Sequence, residues 1–219
     1  MNTGPHIVSD VMSHTVVSVG RDAPFKEIVA LMDEWRVSAL PVLEGENRVV
    51  GIVSEADLLP KEEFRDADPT RQDQMRRLTD LVKAGALGAG ELMTSPAICV
   101  RPDATLAEAA RLMAQHQVKR LPVVTAQGEL EGIVSRTDLL KVFLRSDRDI
   151  EEEVRRTVAA YLFPDQPVVV SVAEGVVTFS GSLRNRSMVP VAARLARAVE
   201  GVVDIRMDFT DAVRHVDAR

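Results

Sequence analysis

Cysteine is nearly absent: Cys99 is the only one in 219 residues. A disulfide within the chain is therefore impossible, and no cysteine cluster can bind zinc. Aromatics make up 4% of the chain, so a packed core has to be built from Val, Leu, Ala, Ile and Met. Basic runs are missing, and the formal net charge is −6. Nucleic-acid binding draws on clustered Lys and Arg, as does attraction to an anionic membrane, so neither class is expected. Nowhere do about 18 apolar residues run together, the length a membrane helix needs. Residues 1–10 lack the basic-then-apolar order of a secretory signal. The expectation is a soluble, cytoplasmic protein.

Catalytic signatures are also missing. There is no P-loop, no Gly-x-Ser-x-Gly and no dinucleotide fingerprint. His6, His14, His116 and His215 show no i, i+4 pair, so no metal site is expected. Cys99 has no histidine near it in sequence and reads as a strand residue. The expectation is a protein that is not an enzyme and has no cofactor.

What is present is an internal repeat. An offset of 81 positions carries Met12 onto Met93, Asp22 onto Asp103 and Glu27 onto Glu108. The same offset carries Leu40-Pro41-Val42 onto Leu121-Pro122-Val123, and Gly51-Ile52-Val53-Ser54 onto Gly132-Ile133-Val134-Ser135. Asp57-Leu58-Leu59 falls on Asp138-Leu139-Leu140 without a gap. Such register over about 50 residues marks a duplication.

Each unit reads β-α-β-β-α. A β-rich run at 16–19, matched at 97–100, precedes a helix that Asp22, or Asp103 and Thr105, can cap. Ile28, Leu31, Met32 and Trp35 recur at helical spacing, as do Ala109, Leu112, Met113 and His116. The last pair suggests a packing role for His116. Strands at 39–43 and 49–53, matched at 120–124 and 130–134, flank a polar turn. A closing helix starts at Ser54 or Ser135, whose hydroxyls suit N-caps. A single unit is small for a stable core, so two are expected to pack together. The stretch 61–88 is charged at first and is expected to form a helix at about 71–83, which Gly85, Gly88 and Gly90 then break.

These residues resemble the CBS domain in its tandem arrangement, the Bateman module. The carriers are Asp10-Val11-Met12 and Glu91-Leu92-Met93, the two Leu-Pro-Val strands and the two Gly-Ile-Val-Ser-x-x-Asp-Leu-Leu segments. The resemblance implies an α/β (α+β) pair, with repeat 1 at 7–60, the linker at 61–88 and repeat 2 at 89–145. It also implies two pseudo-symmetric clefts that hold AMP, ADP, ATP or an S-adenosyl compound such as S-adenosylmethionine. One cleft would place Lys119 and Arg120 beside the phosphate with Ser135 and Asp138, and line adenine with Val17, Val37, Ser38 and Ala39. The other would use Ser54 and Asp57, with Ala97, Ile98 and Val118 near the base. On that partition the Asp138 cleft is the better suited to phosphate, because Ser38 and Ala39 match Lys119 and Arg120 without their charge. The residues alone leave a plainer reading open: Ser54 and Ser135 as helix caps, Asp57 and Asp138 as first-turn acids.

Residues 147–211 change pattern. Ile150, Val154, Val158 and Leu162 share a helical face, and Pro164 ends that helix. Val168, Val170 and Val172 alternate as a strand does. Glu174-Gly175 turns into a second strand at 176–180. A helix at about 186–199 and a strand at 202–209 follow, giving α-β-β-α-β. The run from Val170 to Gly181 and the later Val199-Glu200-Gly201-Val202-Val203-Asp204-Ile205 resemble a BON domain. That resemblance implies phospholipid or envelope attachment. The expected function is a regulatory ligand sensor and homodimer; the alternatives are a docking protein with empty clefts and an envelope-associated adaptor.

Overall fold

In the computed structural model, residues 6–65, 78–183 and 185–211 are described. Contacts divide the chain into a unit spanning His6–Leu139 and a second unit from Leu140 onward.

The first unit holds both repeats. Repeat 1 runs α1 (Val8–Val11), β1 (Val19–Gly20), α2 (Phe25–Glu34), β2 (Ala39–Glu44), β3 (Arg48–Ser54) and α3 (Glu55–Glu63). After it come α4 (Leu78–Gly85) and then repeat 2: α5 (Ala89–Leu92), α6 (Leu106–Gln115), β4 (Arg120–Val124), β5 (Leu130–Ser135) and α7 (Arg136–Leu139). In β2, Ala39, Leu40, Pro41 and Val42 are buried in succession. That is why the segment reads as a continuous apolar run: both faces of the strand are covered. Burying each large side chain such as Leu40 or Val53 contributes about 1.5–3 kcal/mol.

The repeats interlock reciprocally. Ser13 and Ile133 exchange backbone hydrogen bonds of 2.9 and 3.0 Å, and Thr94 and Ile52 exchange equivalent bonds of 2.8 and 3.1 Å. The start of each repeat thus pairs with the β3-type strand of the other. At the hairpin tips Val49 N–H donates to Gly128 O, and Leu130 N–H donates to Asn47 O, each at 3.0 Å. Every one of these pairs maps onto its mate under the 81-residue offset. Gly51 and Gly132 are buried at this crossing. A Cβ at either would run into Met93 or Met12, the methionine brought over from the other repeat.

Several local expectations are corrected. The first strand of repeat 1 is only Val19–Gly20, paired parallel to Val42–Leu43; in repeat 2 it shrinks to a single Val100–Val123 bridge. Asp22 does not cap α2: the N-cap is Pro24, with no side-chain hydrogen bond. Thr105 does cap α6, accepting from Glu108 N–H at 3.2 Å while the Glu108 carboxylate accepts from Thr105 N–H at 2.8 Å. Trp35 and His116 are C-caps, not helix interior, and both are exposed; neither packs into the core of the first unit. The linker helix occupies Leu78–Gly85, and residues 71–77 of the expected helix lie outside the described residues. Helix α3 continues through Pro60 to Glu63, whereas α7 is four residues long.

The C-terminal unit opens with a 3-10 turn (Leu140–Leu144) and then α8 (Asp147–Val154). Ser146 caps α8 by accepting from Asp149 N–H at 3.2 Å. A π turn at Arg155–Ala159 carries the helix on to Ala160–Leu162. The extra residue in that turn brings Ala159 and Phe163 into the core with Ile150, Val154 and Val158. Strands β6 (Val168–Ala173) and β7 (Val176–Leu183) form a hairpin, α9 (Val189–Arg197) follows, and β8 (Asp204–Asp211) pairs parallel to β7. The hairpin turn is pinned from outside: Glu174 and Gly175 N–H both donate to the Asp147 carboxylate at 2.8 Å. This is the expected α-β-β-α-β order.

Candidate functional site

The register of each hairpin sets the site. Ala39 pairs with Ser54, and Arg120 pairs with Ser135. Each pairing puts the start of one strand beside the N-terminus of the helix that follows its partner. There the backbone N–H groups lack helical partners. In repeat 1, Ser54 N–H and Ser54 Oγ–H both donate to Asp57 Oδ2 at 2.7 Å. In repeat 2, Ser135 N–H and Oγ–H donate to Asp138 Oδ2 at 2.9 and 2.6 Å. Both aspartates thus act at the helix start, with the carboxylate folded back onto the preceding serine.

A cavity of about 210 Å³ opens beside the first of these turns. Ala39, Ile52, Ile98 and Val118 give it apolar walls. Ser38, Ser54, Thr94 and Gln117 add neutral polar groups, and Glu55 and Asp57 add carboxylates. Lys119 and Arg120 supply the cations, and Ala56 completes the lining. Arg120 Nη2–H donates to Ser38 Oγ at 2.8 Å, tying the two repeats together across the cavity wall. Burial pulls the Arg120 guanidinium below its ordinary value, while the charges of Glu55 and Asp138 act to raise it. A guanidinium starts so high that it remains charged at neutral pH.

Lys119 and Arg120 line the cavity that contains Ser54 and Asp57; Arg120 also pairs with Ser135 in its own hairpin and feels the charge of Asp138, the two residues with which the resemblance groups it. Ser38 and Ala39 line the same cavity. Ile98 and Val118 line it as well. Val37 instead borders a neighbouring cavity of about 460 Å³, which also touches Ser38, Glu55 and Arg120. Val17 packs on the core of repeat 1. Ala97 is half-buried, and its carbonyl accepts from the Cys99 thiol at 3.5 Å. Val17, Ala97, Ser135 and Asp138 are not among the residues lining the 210 Å³ cavity.

Sequence reasoning missed Lys83. This residue of α4 forms an ion pair with Asp57 Oδ1, and the two side chains are only 13% and 11% exposed. Nothing in the repeat pattern signals it, because α4 lies between the repeats and has no counterpart in the 81-residue register. Thr94 was within reach: it occupies the position of Ser13 in the repeat. Among the described residues no cluster of three or more His, Cys, Asp and Glu could hold a metal ion, and no helix is long and apolar enough to cross a membrane.

Two interlocked β-α-β-β-α repeats enclosing a cavity at a Ser-x-x-Asp helix start define a CBS pair. The CBS-domain model matches residues 8–61 and 89–145, and the BON-domain model matches 146–210. The chain belongs to the CBS-domain family and carries a tandem CBS pair followed by a BON domain. It is 30% identical over 154 residues to an uncharacterised protein of Methanocaldococcus jannaschii, covering 63% of this chain and 91% of that one. It is 32% identical over 138 residues to the chloroplastic CBS domain-containing protein CBSX2 of Arabidopsis thaliana, covering 57% of each. The crystal structure of CBSX2 in complex with AMP superposes with a TM-score of 0.56 at 30% identity, over 64% of this chain and 97% of that one. The CBS domain pair of protein MJ0100, solved with 5′-methylthioadenosine and S-adenosyl-L-methionine, gives 0.50 at 18% identity over 64% and 97%, a likeness of fold.

Proposed function

We propose that the CBS pair is a regulatory sensor of an adenine nucleotide (AMP, ADP or ATP) or an S-adenosyl compound, and that the chain performs no catalysis. The cavity at Ser54 and Asp57 carries this reading. Its apolar walls suit a purine, the carboxylate of Asp57 suits the vicinal hydroxyls of ribose, and the cations suit phosphate. Lys119 is exposed and Arg120 half-buried, so an anionic group would sit at the rim, where its desolvation costs least. The AMP complex of CBSX2 supports the same ligand class. Arg120 also feels the charge of Asp138, so the same cation borders both aspartates.

Isothermal titration with AMP and with adenosine tests this. Arg120→Ala is expected to weaken AMP about tenfold, or about 1.4 kcal/mol, and to leave adenosine nearly unchanged. Equal losses for both ligands, or no binding of either by the native chain, would sink the assignment. We also propose a homodimer, the commonest closed assembly of soluble chains. Light scattering should then report about twice 24.0 kDa; a mass of one chain at micromolar concentration refutes it.

A further inference from the structure

The residue assigned to ribose is already engaged. Asp57 Oδ2 accepts two hydrogen bonds from Ser54, and Oδ1 accepts the Lys83 ammonium. A carboxylate offers about four acceptor positions, so little capacity is left for a vicinal diol. Asp57 is 8% exposed, whereas Asp138, its repeat mate, is half-buried. What covers Asp57 is α4. That helix packs along α3, and its end is tied to repeat 1 by a second lysine. Lys61 Nζ donates to Ala84 O at 3.0 Å while lying 5.2 Å from the centre of the Phe25 ring. Beyond the helix, Ala86 and Ala89 are buried in the core of repeat 1. Helix α4 itself contributes no buried residue. It is thus anchored at its C-terminal side and held against Asp57 and α3 by Lys83 and Lys61.

We propose that Lys83 is an internal competitor for the ribose-binding carboxylate: a ribonucleoside ligand must displace Lys83 from Asp57, and in doing so releases α4. This rests on the reading of the cavity as an adenosine site. The competition sets both affinity and output. Apparent affinity falls by the fraction of molecules in which Asp57 is available. Displacement then frees the helix of the first unit that, among the described residues, belongs to neither repeat.

The test compares AMP binding to the native chain and to Lys83→Met by calorimetry, with backbone amide exchange across Leu78–Gly85 followed in the native chain. The expected result is AMP binding at least about tenfold tighter to Lys83→Met, and faster exchange in α4 of the native chain at saturating AMP. Equal or weaker binding by a folded Lys83→Met, or α4 exchange that AMP leaves unchanged or slows, overturns the competitor while the adenosine site stands. Failure of both proteins to bind AMP overturns the site and the competitor together. Binding by Lys83→Met alone supports both. Should Lys83→Met not fold, the exchange measurement on the native chain decides.

Discussion

Gly51 and Gly132 occupy the same repeat position, yet the structure predicts different outcomes when each becomes alanine. Both are buried and neither needs a left-handed backbone, so the effect is steric. A Cβ at Gly132 would lie 2.6 Å from Met12 Sδ and 2.9 Å from the Ser13 carbonyl oxygen. That oxygen accepts the Ile133 N–H at 3.0 Å in the interlock between the repeats. It cannot retreat without breaking the bond. At Gly51 the three nearest atoms all belong to the Met93 side chain, which is unbranched and able to swing aside. Overpacking a rigid site costs about 1–3 kcal/mol, and replacing glycine gives back about 0.4–1 kcal/mol through the unfolded chain. Gly132→Ala should therefore lose about 1–2 kcal/mol, and Gly51→Ala close to nothing. At roughly 4 °C per kcal/mol for a unit of this size, differential scanning calorimetry should show the CBS-pair transition lowered by roughly 4–8 °C in the first variant and by under about 2 °C in the second. A drop for Gly51→Ala equal to or larger than that for Gly132→Ala would refute the claim that backbone, not side chain, makes the crossing rigid.

Thr105→Ala removes both halves of the α6 capping box and should cost about 1 kcal/mol, read as a lower urea midpoint with an unchanged slope. Asp57→Ala should destabilise the first unit by about 3–5 kcal/mol, the scale for breaking a buried pair, because it strands the Lys83 ammonium in a nearly closed site; a loss under about 1 kcal/mol by urea titration would refute it. Burial raises the Cys99 thiol to about 11, so at pH 8.5 iodoacetamide should modify it far more slowly in the folded chain than in urea. The sign for stability follows: a thiol held neutral stabilises the fold below its unfolded value, near 8.5, and the stability is lost only as pH rises from there towards about 11.

The sequence by itself determined the duplication, the β-α-β-β-α order, the Leu-Pro-Val strands, and the α-β-β-α-β order of the C-terminal unit. All of these rest on local periodicity, turn residues and a fixed offset, which need no knowledge of partners distant in the chain. Thr105 as a cap was legible for the same reason, since its partner Glu108 is three residues away. Local signals also misled: Asp22 looked like a cap but sits two residues before the true N-cap, and Trp35 and His116 continued an apolar spacing past the end of their helices. Tertiary structure alone decided the rest. The repeats exchange their leading segments, which brings Thr94 of repeat 2 against Ile52 and into the cavity beside Ser54 and Asp57, where Lys119 and Arg120 also lie. Lys83 reaches Asp57 across 26 positions from a helix outside the repeat. Charge pairing and cavity walls depend on distance in space, and side chains so far apart in sequence leave no periodic trace that would announce their meeting.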